Sequence, residues 1–351
     1  MFVRIAPSAH PLGNITMLFL EKSRSRRIFK SQLGHANHLI ITALVGLDGV
    51  ERGVVNEVPK DLRTVWSPNN AVSSAKRSRR LILDMALIKA IDAFDVYVRN
   101  VIRKPALVQS PSFRKELDKA GFSICLKLQA IERHCQGLGG LPLAIVFLMV
   151  AWRNRSAHTE SDRDAPQGHL DKLRSNKEEV AARFSGLDVD MLLGGYEAMR
   201  PVTFKEVASL INAVHHLVAE VDAELLSSLD VEQYLKDVVW ASLSDSRKPN
   251  ELIEHARKRR AVNVWGKDPN DRGDAILRLL LQQGFSKIPS KQQSGALVST
   301  ELIAMLQQQT PKSIHNWASG GKSQFTSSTS PLLTSPHRPP VRSAFRAEMP
   351  V

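Results

Sequence analysis

The sequence has only two cysteines, Cys125 and Cys135, among its 351 residues. Two thiols are too few for a disulfide scaffold or a Cys₄ zinc site, so we expect a reducing, cytoplasmic setting. The longest apolar run, Leu141 to Trp152, is shorter than the roughly 18 residues needed to span a bilayer. The apolar stretch Met17–Leu20 is too short for a signal-peptide core. We therefore expect no membrane segment and no secretion.

The sequence also lacks a phosphate-binding loop and a metal-binding pattern. The run Gly137-Leu138-Gly139-Gly140 is not followed by the Lys-Ser/Thr pair of a P-loop. His134 beside Cys135 supplies only two ligand types, which do not make a zinc site. Glu160 and Asp162 could bind a metal or tune a neighbouring histidine, and a solvated acidic turn is the alternative. We expect no cofactor and no metal.

The positive charge is concentrated at the two ends of the chain. Lys and Arg number 48 against 35 Asp and Glu, a net charge of +13. Residues 1–80 carry +8, residues 81–246 carry −4 and residues 247–351 carry +9. Basic flanks can hold nucleic acid without reading its sequence, and the alternative is that they are solvated, disordered segments.

Apolar periodicity predicts an all-α fold. Apolar residues recur every three or four positions over 81–101 and again over 207–225, as on one face of a helix. Thr203 and Glu206 have the spacing of a capping box at the start of the second stripe. No segment between residues 81 and 240 alternates with the period of a strand. We predict a helical bundle with a small C-terminal helical region.

Four segments follow from these patterns. Residues 1–79 form a basic N-terminal extension, poorly ordered over 1–35, and residues 80–228 form the helical domain. Residues 229–319 are a C-terminal helical region with a candidate helix-turn-helix. Residues 320–351 are rich in Ser, Thr and Pro and are predicted to be a disordered tail.

One cluster of polar residues closes the apolar segment that begins at Leu141. Arg153 has the planar fork that matches a phosphate, and His158 can give or take a proton near neutral pH. Asn154 lies four residues before His158, on the same helix face, and could orient the imidazole. Arg153 and His158 are about 140° apart around an ideal helix, so a distorted helix end, a long arginine or a second subunit must bring both to one phosphate. A solvated helix end is the alternative.

The pattern Arg153-Asn154-x-x-x-His158, late in a helical domain, resembles the signature of the HEPN superfamily. The resemblance covers a little under half of the chain. It implies an all-α bundle that dimerises, and for many members a metal-independent ribonuclease of toxin, anti-phage or RNA-processing systems. By that resemblance Arg153 contacts the scissile phosphate, His158 is the acid/base and Asn154 supports the site. The Arg153 and His158 side chains of two protomers then meet in one cleft, where the ribose 2′-hydroxyl attacks to give a 2′,3′-cyclic phosphate.

The C-terminal region suggests a second kind of nucleic-acid contact. Two short segments, 300–306 and 311–317, have the spacing of a helix-turn-helix, whose second helix would present Lys312, His315 and Asn316 to DNA. The pattern departs at Gln308, where glycine is usual, and at Gln309, where an apolar residue is usual.

Further arginines and one lysine are candidate phosphate contacts. Arg155 and Arg163 flank the Arg/His motif and would attract RNA locally. A basic run lies within a predicted helix and would support phosphate contacts or form a solvated face; it consists of Arg257, Lys258, Arg259 and Arg260.

Two main functions remain open from the sequence, beside a nucleotide-sensing domain that no glycine-rich phosphate loop supports. The first is a dimeric HEPN-like endoribonuclease acting on single-stranded RNA, with an antitoxin or another protein as partner. The second is a non-catalytic HEPN-like dimerisation or partner-binding protein that binds DNA through its C-terminal helices as a regulator.

Overall fold

The computed structural model describes residues 17–55, 57, 61, 68–157, 164–244, 248, 250–287 and 295–320. These residues form fourteen helices and one two-stranded sheet, which confirms the all-α prediction. None of the helices in these ranges is long and apolar enough to cross a bilayer. The elements in chain order are β1 (Leu18–Leu20), α1 (Arg24–Glu51), α2 (Ala71–Ile102), α3 (Pro111–Ala120), α4 (Ile124–His134), α5 (Leu141–Ala157), α6 (Gln167–Ser175), α7 (Lys177–Arg183), α8 (Val189–Glu197), α9 (Phe204–Ser227), α10 (Val231–Ser244), α11 (Ile253–Trp265), α12 (Pro269–Gln283), β2 (Ala296–Val298), α13 (Thr300–Gln308) and α14 (Pro311–Ala318).

Helices α1 and α2 form a long antiparallel hairpin. Phe29 packs edge-on against Tyr97, with ring centroids 6.3 Å apart, and Phe29 and Leu33 are buried. From Met17 onward this differs from the poor order expected for residues 1–35, and the helical body begins well before residue 80. The physical reason is that α1 buries few positions and leaves apolar residues such as Leu39, Ile41 and Val45 exposed, so its buried face does not stand out in the sequence. Residues 1–16 and 321–351 of the predicted flanks lie outside the described residues.

Helix α5 lies at the centre of the helical body, packed against α2, α4, α6 and α9. Every residue from Leu143 to Trp152 is buried, so the apolar segment that begins at Leu141 is a helix in the interior. Helix α9 opens with the predicted capping box: Thr203 Oγ1 accepts from the Glu206 N–H at 3.3 Å, and Glu206 Oε2 accepts from the Thr203 N–H at 2.8 Å. Two otherwise unpaired backbone donors are satisfied in this way.

A buried carboxylate joins the start of α1 to α9. Asp222 is fully buried, and its carboxylate accepts hydrogen bonds from the Ser23 backbone N–H at 3.0 Å and from the Ser23 hydroxyl. Tyr97 of α2 donates to the same carboxylate at 3.4 Å. Ser23 is also the N-cap of α1. Three helices are therefore held together at one polar point inside an apolar core.

The last five helices pack together, and the N-terminal strand joins them. Strand β1 pairs antiparallel with β2, with Leu18 opposite Val298 and Leu20 opposite Ala296, all four buried. Helix α14 lies against α10 and α11, and α13 contacts α12. The Trp265 indole N–H donates to the Leu306 carbonyl at 2.9 Å in the interior of this unit. Segments at opposite ends of the sequence thus share one core.

Candidate active site and nucleic-acid interface

The Arg/His motif lies where α5 leaves the core. Trp152 is buried, whereas Arg153, Asn154 and Arg155 are only partly buried. The helix ends at Ala157, and His158 and Arg163 lie outside the described residues. The apolar-to-polar gradient of the sequence therefore marks a real passage from interior to surface.

Arg153 is held by its neighbour and has no carboxylate partner among the described residues. Its Nη1 donates to Asn154 Oδ1 at 3.0 Å, and its Nε is buried without a hydrogen bond. The sequence interpretation gave Asn154 the task of orienting His158, whereas the observed bond is to Arg153. A guanidinium has five N–H donors. With Nε buried and one Nη1 hydrogen bonded to Asn154, the other three N–H groups of Arg153 have no partner among the described residues.

The side chain of Arg155, two residues further along α5, is bound to other residues of the same chain. Its Nη1 donates to the Tyr196 carbonyl at 2.9 Å, its Nη2 is ion-paired with Asp164, and its Cζ lies 3.9 Å from the centre of the Tyr196 ring. Its predicted role as a nucleic-acid contact is therefore not what the structure favours. The arrangement instead joins the last turn of α5 to α8 and to the segment that precedes α6.

Tyr196 organises this contact between segments, which no pattern in the sequence indicates. Its hydroxyl donates to Asp164 Oδ1 and accepts from the Ala165 N–H, each at 3.3 Å. Burial raises the pKa of Tyr196, against the opposing effects of the Ala165 N–H and the Arg155 cation, so the phenol remains a neutral donor. No spacing rule connects residues 155, 164 and 196, because the tertiary fold brings them together.

The two short helices predicted within the candidate helix-turn-helix are present as α13 and α14, each with a capped start. Thr310 caps α14 in a box with Ser313, and the Arg272 guanidinium donates to the carbonyls of Gln307 and Gln309 at 3.1 and 3.4 Å. Gln308 does not have a positive φ, and Gln309 after it is extended (φ −63°, ψ 145°), so this turn needs no glycine. Gln309 fills the usually apolar position by folding its amide back to the Met305 carbonyl at 3.3 Å.

Helix α14 presents only part of its predicted DNA face. Lys312 and Asn316, one turn apart, are exposed, while Ile314 and Trp317 are buried against the neighbouring helices. His315 differs from the prediction, because it packs on the Trp240 ring with centroids 5.3 Å apart and lies 3.4 Å from Glu254.

The basic run of α11 is largely neutralised within the protein. Arg257 pairs with Glu254 at 2.6 Å, and Arg259 pairs with Glu251 at 2.8 Å. The Arg259 guanidinium, helped by the Lys248 N–H, lowers the pKa of Glu251 to about 2.

The two other members of the run differ from each other. Arg260 is partly buried, with its Nε shielded from solvent and unbonded. Lys258 is exposed. Of the predicted phosphate contacts on α11, Lys258 is the one that the structure leaves free at the surface.

No group of three or more His, Cys, Asp or Glu side chains that could hold a metal occurs in the described part of the chain. Arg153 and Asn154 at the end of α5 offer a cation and hydrogen-bonding groups. Comparison with models of protein families, with curated proteins and with solved structures finds no match to this chain.

Proposed function

We propose that this chain is a metal-independent endoribonuclease of the HEPN type, which cuts single-stranded RNA in the cytoplasm as a prokaryotic toxin or anti-phage enzyme. One observation carries the proposal. Arg153 lies near the C-terminal end of the buried helix α5, where it is partly exposed, hydrogen-bonded to Asn154 and without a carboxylate partner among the described residues. Its charge is therefore available to a phosphate, in contrast to that of Arg155 two positions away.

The proposed chemistry is transfer of the phosphodiester to the neighbouring 2′-hydroxyl. The 2′-oxygen attacks phosphorus, the 5′-oxygen leaves, and the products are a 2′,3′-cyclic phosphate and a 5′-hydroxyl. Arg153 stabilises the negative charge that develops on the non-bridging oxygens. His158 transfers the proton that leaves the nucleophile or reaches the leaving group. Asn154 positions Arg153 through the 3.0 Å hydrogen bond.

A two-fold dimer completes the proposed site. Arg153 and His158 point about 140° apart on an ideal helix, so a cleft shared by two protomers allows Arg153 to face His158 of the partner subunit. A protein that silences this cleft, such as an antitoxin, belongs to the same proposal.

The test is cleavage of a labelled single-stranded RNA by the purified full chain in EDTA. We expect cleavage that survives the chelator, because every proposed catalytic group is a side chain. An enzyme preparation that cuts only after a divalent metal is added would contradict the metal-independent mechanism.

DNA binding by α13 and α14 is the second candidate function. The observation that favours it is the outer face of α14, where Lys312 and Asn316 are exposed one turn apart while the inner face is buried. Truncation is a poor test, because β2 and Trp317 belong to a core shared with the rest of the chain. Point variants on the exposed face leave that core intact.

For DNA bound by the wild type, selected from a random duplex library, we predict two different effects. Asn316→Ala should relax the preference at one base position by about 1–3 kcal/mol, and Lys312→Ala should weaken all sequences and reduce the salt slope by about 1. Fluorescence anisotropy at several salt concentrations measures both. Lys119→Ala, an exposed lysine of α3, is the control. Equal DNA affinity of all variants would exclude α14 as the binding element.

A further inference from the structure

A cavity of about 240 Å³ lies between the start of α1, the end of α2 and α10. Arg24 and Ser25 come from the first turn of α1, Arg103 and Lys104 follow the last turn of α2, and Tyr234 comes from α10. This cavity is separate from the Arg153 region at the end of α5. No acidic side chain lines it.

Three cations surround the cavity, and their charge is only partly compensated. Lys104 pairs with Asp237 at 3.0 Å. Arg24 makes one long hydrogen bond, 3.4 Å to the side-chain oxygen of Gln283. Arg103 is exposed and has no ion pair among the described residues. The local field therefore favours an anion.

Two residues that carry hydroxyl groups, Ser25 and Tyr234, line the same cavity. Ser25 is 8% exposed and Tyr234 is 3% exposed, and neither hydroxyl has a hydrogen-bond partner among the described residues. Neither oxygen is among the buried atoms left without a hydrogen bond in the described residues, so both can be reached from the cavity, and a molecule held there could accept from both. Burial, with a smaller contribution from the Asp222 charge, raises the pKa of Tyr234 to about 12, so its phenol stays a donor at neutral pH.

The helix geometry adds to the attraction. Arg24 and Ser25 are the first two residues of a 28-residue helix, where backbone N–H groups and the helix dipole favour negative charge. The cavity is smaller than the 300–1,000 Å³ typical of drug-sized sites. It suits a small anion better than a nucleic-acid strand.

We propose that this cavity binds the phosphate group of a small molecule, held by Arg24 and Arg103 and by the hydroxyls of Ser25 and Tyr234. The free ion and a small phosphate ester share this chemistry. The bound ligand would contact α1, α2 and α10 together, and thus the junction between the helical body and the C-terminal helices. Because it binds only the folded chain, it should stabilise that junction.

The test is isothermal calorimetry and thermal unfolding of the full chain in a phosphate-free buffer of constant ionic strength. The two probes are inorganic phosphate and glycerol 3-phosphate, and their relative affinities identify the free ion or the ester as the better ligand. We expect saturable binding and a higher Tm. Arg103→Gln should weaken binding by about tenfold or more, and Tyr234→Phe by several-fold, since each removes a donor to a charged group.

The control variant is Arg99→Gln, one turn earlier on α2, where the arginine pairs with Asp95. It should bind as the wild type does. Arg103 is exposed, so its replacement should not unfold the chain. The proposal is overturned if neither probe binds the wild type, or if Arg103→Gln and Tyr234→Phe bind both probes with wild-type affinity.

Discussion

Replacing Arg153 by alanine is expected to reduce RNA cleavage in EDTA by about 10²–10³-fold, the usual effect of removing one preorganised donor to a developing oxyanion. The Tm should change little, because Arg153 has no ion pair among the described residues and is partly exposed. Single-turnover cleavage of a labelled RNA measures the loss. His158→Ala should be at least as damaging, because it removes the proton carrier.

Arg155 provides a matched control two residues away on the same helix. Its guanidinium is held by Tyr196 and Asp164, so Arg155→Ala should lower the free energy of unfolding by about 1 kcal/mol. Folded Arg155→Ala protein should still cleave RNA. The opposite pattern, with Arg155→Ala inactive at full stability and Arg153→Ala active, would mean that the roles of the two arginines have been exchanged.

Co-expression of the two inactive variants tests whether the site is shared. In a two-fold dimer whose clefts combine Arg153 of one protomer with His158 of the partner subunit, an Arg153→Ala/His158→Ala heterodimer keeps one intact cleft. Random pairing should then restore about a quarter of the wild-type rate. A mixture as inactive as either variant alone would contradict a shared cleft while leaving the role of Arg153 open to the single-variant assay.

Replacing Asp222 by alanine is expected to lower the free energy of unfolding by about 3 kcal/mol or more, because two buried donors of Ser23 lose their charged acceptor. The loss acts on the N-cap of α1 and on the contact of α1 with α9. Urea unfolding followed by circular dichroism measures it. Asp222→Asn should lose less, since a carboxamide oxygen can still accept from the Ser23 N–H. A wild-type stability for Asp222→Ala would contradict the structural role of this bond.

The pH dependence of the free energy of unfolding gives a second test of the contact between Asp222 and Ser23. Burial raises the pKa of Asp222 above its ordinary value of 3.8, against the opposing hydrogen bonds from Ser23. The folded state therefore binds this proton more tightly than the unfolded state. The proton bound by Asp222 therefore stabilises the folded state below pH 3.8, and this contribution is lost as the pH rises through the raised pKa of Asp222. The wild type should accordingly lose stability relative to Asp222→Asn over that interval.

The sequence predicted well the elements whose signal is local. The Thr203/Glu206 capping box and the apolar stripe over 207–225 depend on residues three or four positions apart, and the structure confirms both. The stripe over 81–101 is buried only from its middle onward, because Leu81 and Met85 are exposed. Helix α5 follows instead from its continuous apolar run. The helix pair at 300–306 and 311–317 is also confirmed, and its caps at Ser299 and Thr310 follow the same local rules. Such features arise from neighbouring residues and need no tertiary information.

Features that depend on distant residues were missed. Strand β1 is three residues long and pairs with β2 across most of the chain, so no periodicity could reveal it. The Arg155–Tyr196–Asp164 cluster joins three segments that only the fold brings together. The inward position of His315 follows in the same way from the packing of α14 on α10 and α11.

The most direct test of the central claim is the chemistry of the RNA ends produced by the full wild-type chain in EDTA. A mechanism that uses Arg153 and His158 on the neighbouring 2′-hydroxyl predicts a 2′,3′-cyclic phosphate on one fragment and a 5′-hydroxyl on the other, and no cleavage at a 2′-deoxy position. Fragments with a 3′-hydroxyl and a 5′-phosphate, or cutting at the deoxy position, would contradict it.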